Sequence, residues 1–380
     1  MNYMRSILYF LVCVFFIPVS VSVSYAKLPF VIISVDVETK KYSGVALPLP
    51  EQVNAVCAGD ESCGLQKMVH ILQEKGYAAT FFYDVYEYKK YDEEAVKNIA
   101  IWLDRSGQDV QLHTHPHWAY DKNRNLMYQY SLEEQIEIIR DGKMLLEKWI
   151  GKPVVAHRAG AYGANENTLR ALIENEIFYD SSLFLGWRKS RINDLDLNKN
   201  VLSMYDVLYQ FPVTVYKKNE YPSLFVDNVK PIMTIRKYDV NWFADELEAE
   251  NALNEAIHIE LDFIMLFLHS FSFIKDFDNE GEKKTNSDAM KIFEKLLNTI
   301  KREGLKVITF GDIAKTNMNL SQYLEKPDLI PEIKTHISTV QYVRKRLGIN
   351  KDKFILFVIT IGIAGAMIAT VIIVLKRRKA

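Results

Sequence analysis

The chain has 380 residues, 49% of them hydrophobic and 25% charged, enough for one large domain or two ordinary ones. Against 48 Asp and Glu stand 47 Lys and Arg, a net charge of −1, and no long basic patch precedes the apolar C-terminal stretch. That balance argues against nucleic acid as a partner, because nucleic-acid binding needs a basic face.

Residues 1–26 read as a secretory signal. Arg5 gives a positive start, 7–18 are apolar, and Ser24-Tyr25-Ala26 is a small-x-small cleavage site. An uncleaved N-terminal anchor is the alternative. From Lys27 onward strand-like and helix-like runs alternate. Strands are predicted at 30–35, 78–83, 110–113, 154–156, 177–179, 208–212, 263–268 and 306–309, and helices at 65–75, 95–105, 132–149, 166–175 and 289–302. Such alternation predicts an α/β fold on a parallel sheet. Residues 187–200 are polar and read as a long loop, and 318–353 as a juxtamembrane stalk or docked helix. Cys13 falls in the signal, which leaves Cys57 and Cys63; in an exported domain these read as a small-loop disulfide.

Residues 354–375 are apolar and uncharged. About 22 residues at roughly 1.5 Å each cross the ~30 Å core of a bilayer. Lys376-Arg377-Arg378-Lys379 follow at once, in a basic tail at 376–380. Positive residues stay inside, so the expected arrangement is a single-pass protein of the cytoplasmic membrane with its main domain, 27–317, on the periplasmic or extracellular side. Gly362/Ala366 and Gly365/Ala369 are small-xxx-small pairs through which such a span could form a homodimer.

Polar residues collect at the C-terminal ends of the predicted strands: Asp36, Glu38, His113, Arg158, Asp180 and His269. A barrel of βα units gathers strand ends onto one rim, where active sites lie. His113-Thr114-His115-Pro116-His117 offers imidazoles, and Asp36-Val37-Glu38 a carboxylate. Two His and one carboxylate around a divalent cation, with a position left for water, make a hydrolase site. His113 and His117 converge if the segment coils into a helical turn; in an extended segment His113 and His115 share a face instead. Both remain open, with the i,i+4 pair preferred.

Together these motifs resemble the NodB-type polysaccharide deacetylases, the carbohydrate esterases of the fourth family, over residues 30–313. The resemblance implies a distorted (β/α) barrel that removes acetyl groups from sugars with a divalent metal, zinc being the expected ion. The family's first motif is an apolar strand ending in two acids, usually adjacent. Here Val37 separates Asp36 from Glu38; by resemblance Asp36 is the general base and Glu38 a metal ligand. The second motif, His-[Ser/Thr]-x-x-His, makes His113 and His117 metal ligands. The third, an Arg before a Gly-rich turn, makes Arg158 the partner of the base, with Gly160 standing where the usual form has Pro. In the fourth, Asp180 helps set the protonation of a His. In the fifth, the strand Leu266-Phe267-Leu268-His269 supplies His269 as catalytic acid.

The activity implied by the resemblance is hydrolysis of non-peptide C–N bonds, on N-acetyl more than O-acetyl groups of a cell-envelope or exported polysaccharide. Asp36 would take a proton from water and His269 would return one to the leaving group. Trp118, Tyr162 and Trp187 are candidates for lining a sugar groove. Two other readings compete: a homologue without catalysis that binds glycan or scaffolds an envelope complex, and a metal-dependent amidase on a non-glycan substrate. Altered spacing in the first and third motifs favours the former.

Overall fold

The structure, a computed structural model, describes residues 28–42, 45–59, 61–223, 229–277, 283–324 and 326–348. The predicted signal (1–26), membrane span (354–375) and basic tail lie outside them. Among the described residues no helix is long and apolar enough to cross a membrane.

In chain order the principal strands are β1 (Phe30–Val37), β2 (Thr80–Asp84), β3 (Asp109–Thr114), β4 (Ala156–Ala159), β5 (Tyr179–Asp180), β6 (Ser203–Tyr205), β7 (Leu208–Gln210), β8 (Val215–Pro222), β9 (Ile232–Lys237), β10 (Phe263–His269), β11 (Lys306–Val307) and β12 (Glu332–Ile337). The principal helices are α1 (Leu65–Lys75), α2 (Glu93–Arg105), α3 (Leu132–Ile150), α4 (Glu166–Glu174), α5 (Glu246–His258), α6 (Ser287–Arg302), α7 (Phe310–Lys315) and α8 (Thr339–Arg346). The main sheet runs β6-β7-β5-β4-β3-β2-β1-β10. β11 pairs with Phe30 and Val31 of β1, and β2 takes over from Ser34. Every pairing is parallel except the β6–β7 hairpin.

Side chains alternate across the strands, and the sequence uses both faces. Val31, Ile33, Val35 and Val37 of β1 point outward with Phe81, Tyr83, Val110 and Leu112, and pack against helix residues such as Leu72, Val96, Ile139 and Leu146. Ile32, Phe82, Ala156 and Met265 point inward with Phe211 and Phe310, filling the lower interior. The helices have clear ends: Ser131 and Glu134 form a reciprocal cap on α3, and left-handed Gly151 closes it.

Among the described residues no ladder joins β7 to β10, so the sheet is a curled half-barrel rather than a closed ring. Side-chain contacts and one isolated backbone bridge span the seam. Phe211 and Phe263 meet edge-on at 5.2 Å, Met265 N–H donates to Thr214 Oγ1 at 2.8 Å, and Asp239 makes a single bridge to Phe267.

A second sheet, β9-β8-β12, and helix α5 were not predicted. The reason is chemical. β8 buries Lys218 and Glu220, which pair with Glu248 of α5 and Lys345 of α8, so its sequence lacks the apolar alternation of a strand. Within the segment read as a stalk or docked helix, 318–353, the described residues supply β12, which pairs in parallel with β8, and a docked helix, α8, whose Tyr342 hydroxyl donates to Lys230 O.

Candidate metal and catalytic site

The register of the main sheet assembles one inward-facing row at the C-terminal ends of the strands. Asp36 lies between His269 of β10 and Phe82 of β2, and His113 between Asp84 of β2 and Arg158 of β4. Arg158 is fully buried beneath this row. Its Nη1 donates to Asp36 Oδ1 at 2.7 Å, Nη2 to Ser34 Oγ and Ser181 Oγ, and Nε to Ser181 O. The guanidinium lies over the Phe82 ring at 4.2 Å. A planar fork with its bonds fixed this way orients one carboxylate and leaves the other oxygen, Oδ2, toward His113.

Glu38 lies one residue beyond β1. Its Oε2 meets His113 Nε2 at 3.3 Å and also bonds His115 Nε2, while Oε1 is 3.6 Å from His269 Nε2. Donor atoms of Glu38, His113 and His115 lie within 4.8 Å of one another, and among the described residues this is the one such group of His, Cys and carboxylate side chains. His113 donates its Nδ1 proton to Arg158 O at 2.8 Å, which turns Nε2 toward the carboxylate. A lone pair facing a carboxylate calls for a cation or a proton between them. Burial alone would raise Glu38, but the His115 charge and the bonds from both imidazoles hold it well below the usual carboxylate range. Burial alone would lower His113 and His115; Asp36 and Glu38 for the first, and Glu38 for the second, outweigh it and raise both. Two imidazole nitrogens and an ionised carboxylate are a fitting donor set for zinc.

The preferred pair, His113 with His117, is not the pair the structure brings together. β3 stays extended through Thr114, so His113 and His115 share a face. Pro116 then opens a short 3₁₀ turn rather than an α turn, and the His117 ring lies beside Trp118, centroids 4.5 Å apart. The His115 ring rests on Gly160: a Cβ there would lie 2.4–2.6 Å from three of its ring atoms. Glycine at this position makes the room.

Asp180 meets a His, but not one of the inward row. It pairs in register with His157, whose side chain faces outward, away from the row. Asp180 Oδ1 accepts from His157 Nδ1 at 2.8 Å, and His157 Nε2 meets Thr114 Oγ1 at 3.0 Å. Its carboxylate also accepts from the amide and hydroxyl of Ser182. It serves the outer face and the chain turn that carries Ser181 to Arg158. His269 is instead near Glu38. Burial pushes its imidazole down, Glu38 opposes, and the Lys237 ammonium adds to the lowering.

Lys237 escaped sequence reasoning altogether. Buried at the end of β9, it pairs with Asp239 at 3.0 Å, donates to Tyr162 Oη at 3.2 Å, and sits 3.3 Å from the Phe267 ring centroid. Ala161 and Tyr162 adopt left-handed backbone (φ 51° and 58°), so this clamp holds a strained turn beside the site. A lysine between Arg236 and Tyr238 in a mixed polar run gives no sequence signal for such a role. Trp187 stacks on Phe184 and donates to Ala161 O, and Trp118 packs on Tyr91.

Cys57 and Cys63 form a disulfide. No curated protein matches the chain. Among solved structures it is similar to a candidate polysaccharide deacetylase from Mycobacterium smegmatis (16% identity, TM-score 0.48, covering 82% of this chain and 98% of that one). It is also similar to a CE4 family pseudoenzyme from Bacillus anthracis (10%, TM-score 0.41, 82% and 71%). A third is a family 4 carbohydrate esterase from Streptomyces lividans in complex with acetate (11%, TM-score 0.37, 73% and 91%). The polysaccharide deacetylase family model matches residues 57–177, a segment that holds His113, His115 and Arg158.

Proposed function

We propose that the protein is a metal-dependent hydrolase that removes acetyl groups, N- in preference to O-linked, from a polysaccharide outside the cytoplasmic membrane. The observation that carries this reading is the convergence of Glu38, His113 and His115 beside an Arg158-held Asp36 and His269. Glu38, His113 and His115 would hold a divalent cation, zinc by donor chemistry, and the ion would acidify water and polarise an acetyl carbonyl. Asp36, fixed by Arg158, takes the proton of the attacking water through Oδ2. His269 lies across Glu38 and gives a proton to the departing amine or alcohol. An imidazole that holds its proton less tightly than usual is the stronger acid toward that group, with a smaller protonated fraction at neutral pH. Export through 1–26 and anchoring through 354–375 would set this chemistry beside a polymer being assembled or exported.

The test is acetate release from acetylated glucosamine oligomers by the full-length protein, with and without chelator. Release that chelator stops, and that Asp36→Asn abolishes with metal retained, is the expected result. Metal bound by a folded protein that releases no acetate from any acetylated glycan would defeat it.

A further inference from the structure

Glu38 poses a mechanical problem. It stands beyond the last paired residue of β1, so the main sheet does not fix it, yet three imidazoles converge on its carboxylate. The chain between β1 and α1 forms an excursion off the main sheet, the insert. It contains a hairpin (Lys40–Tyr42 with Val45–Leu47), a helical turn (Leu49–Val53), and a second hairpin closed by Cys57–Cys63. Gln52, in the helical turn, is fully buried. Its Nε2 donates to Glu38 O at 2.9 Å and to Leu47 O at 3.0 Å, and its Oε1 accepts from Ser270 Oγ at 2.5 Å. Two carbonyls on one side and a hydroxyl on the other fix the amide orientation. Ser270 follows His269; its Oγ also accepts from Glu38 N at 3.4 Å, and its N–H donates to Asp36 O at 2.8 Å. Gln52 thus ties the ligand's backbone to the end of β10.

The insert keeps Gln52 in place. The chain leaving the disulfide packs against that turn so closely that a Cβ on Gly64 would lie 2.3 Å from Gln52 O and 2.6 Å from Ala55 N. Cys57 and Cys63 are buried with Leu47, Ala55 and Ile274, the last on the segment after β10. On the opposite side Glu87, also buried, accepts from the amide and, at 2.6 Å, the hydroxyl of Thr39.

We propose, building on the metal-site reading above, that Gln52 is a positioning residue for the metal ligand Glu38, and that the disulfide-closed insert is the scaffold that carries it. A ligand orienter of this kind changes metal affinity about 10–100-fold when lost.

The experiment is a Zn²⁺ titration of full-length protein stripped of metal, with Co²⁺ absorption as the readout of coordination geometry. Gln52→Ala is expected to weaken Zn²⁺ binding about 10–100-fold and to change the cobalt bands. Gln135→Ala is the control for a lost buried amide: Gln135 bonds Tyr130 O and Thr168 Oγ1, and this variant is expected to keep wild-type affinity and spectrum. Should Gln52→Ala not fold, Ser270→Ala breaks the same link from the other end and carries the same expectation. Wild-type affinity and cobalt bands in the folded variant overturn the proposal while leaving the metal site standing. A wild-type chain that binds no Zn²⁺ overturns the metal site and the proposal together.

Discussion

Strands β3 and β4, each with a neighbour, build two His–Asp clusters on opposite faces of one sheet. Inside, His113 and Arg158 meet Asp36 and Glu38 at the open rim. Outside, one residue along each strand, Thr114 and His157 meet Asp180 under the helical layer. Both clusters are buried and both hold an imidazole against a carboxylate. The inner one has three donor atoms converging and a neighbouring carboxylate held by Arg158; the outer one has every polar atom engaged by a protein partner. A one-residue shift in strand parity therefore separates a site that can hold a cation from a structural tie.

The comparison can be broken most severely at Asp36. Asp36→Asn should lower deacetylation by about 10²–10⁴-fold, the usual contribution of a general base, while metal content stays unchanged in elemental analysis. Equal loss on replacing Asp180 would erase the distinction between the faces. Next in size is the choice of imidazole. His115→Ala should weaken Zn²⁺ binding by more than 100-fold, beyond what an outer-sphere change does, whereas His117→Ala should stay within about tenfold; isothermal titration of both variants decides between the two pairs. For the outer cluster the expected readout is stability. Asp180→Asn should cost about 1–3 kcal/mol in urea unfolding, the penalty for stripping buried donors of their acceptor, with Zn²⁺ affinity within about twofold of wild type.

The smallest effect concerns pH. Burial pushes His157 down, with Asp180 opposing. An imidazole whose folded pKa is depressed stabilises the fold above its unfolded value of about 6.5, and that stabilisation is lost as pH falls below it, because the unfolded chain binds the extra proton. His113 and His115, raised in the fold, titrate in the opposite sense, so the readout is a difference: in urea unfolding in chelator at pH 7.5 and pH 5.5, His157→Gln should lose less stability, or gain more, on acidification than wild type. An unchanged slope would mean that His157 is already charged in the fold.

Much of the site was legible because its residues sit at the ends of apolar strands. Val31 to Val35 announced β1, and the acids that follow it could only lie at a strand end; Leu266-Phe267-Leu268 did the same for His269. Arg158 was legible as a partner of Asp36, and the structure shows that bond. His115 was not settled by sequence. HTHPH satisfies either spacing, and the decision came from extended backbone at Thr114, the turn at Pro116 and the space above Gly160. For Asp180, strand-end position fixed depth along the barrel but neither its face nor which His it meets; both follow from register against β4.

The sequence by itself determined the alternation of strands and helices, the two-sided burial of the parallel sheet and the choice of chemical groups at its rim. These are local matters: apolar period, branched side chains and the residues that end each run. Tertiary structure alone decided which imidazole faces Glu38, which carboxylate faces inward, and how Gln52, Ser270 and Lys237 support them. Those outcomes depend on pairings between residues up to 232 positions apart, as in the contact between Glu38 and Ser270, where geometry rather than local propensity selects the partner.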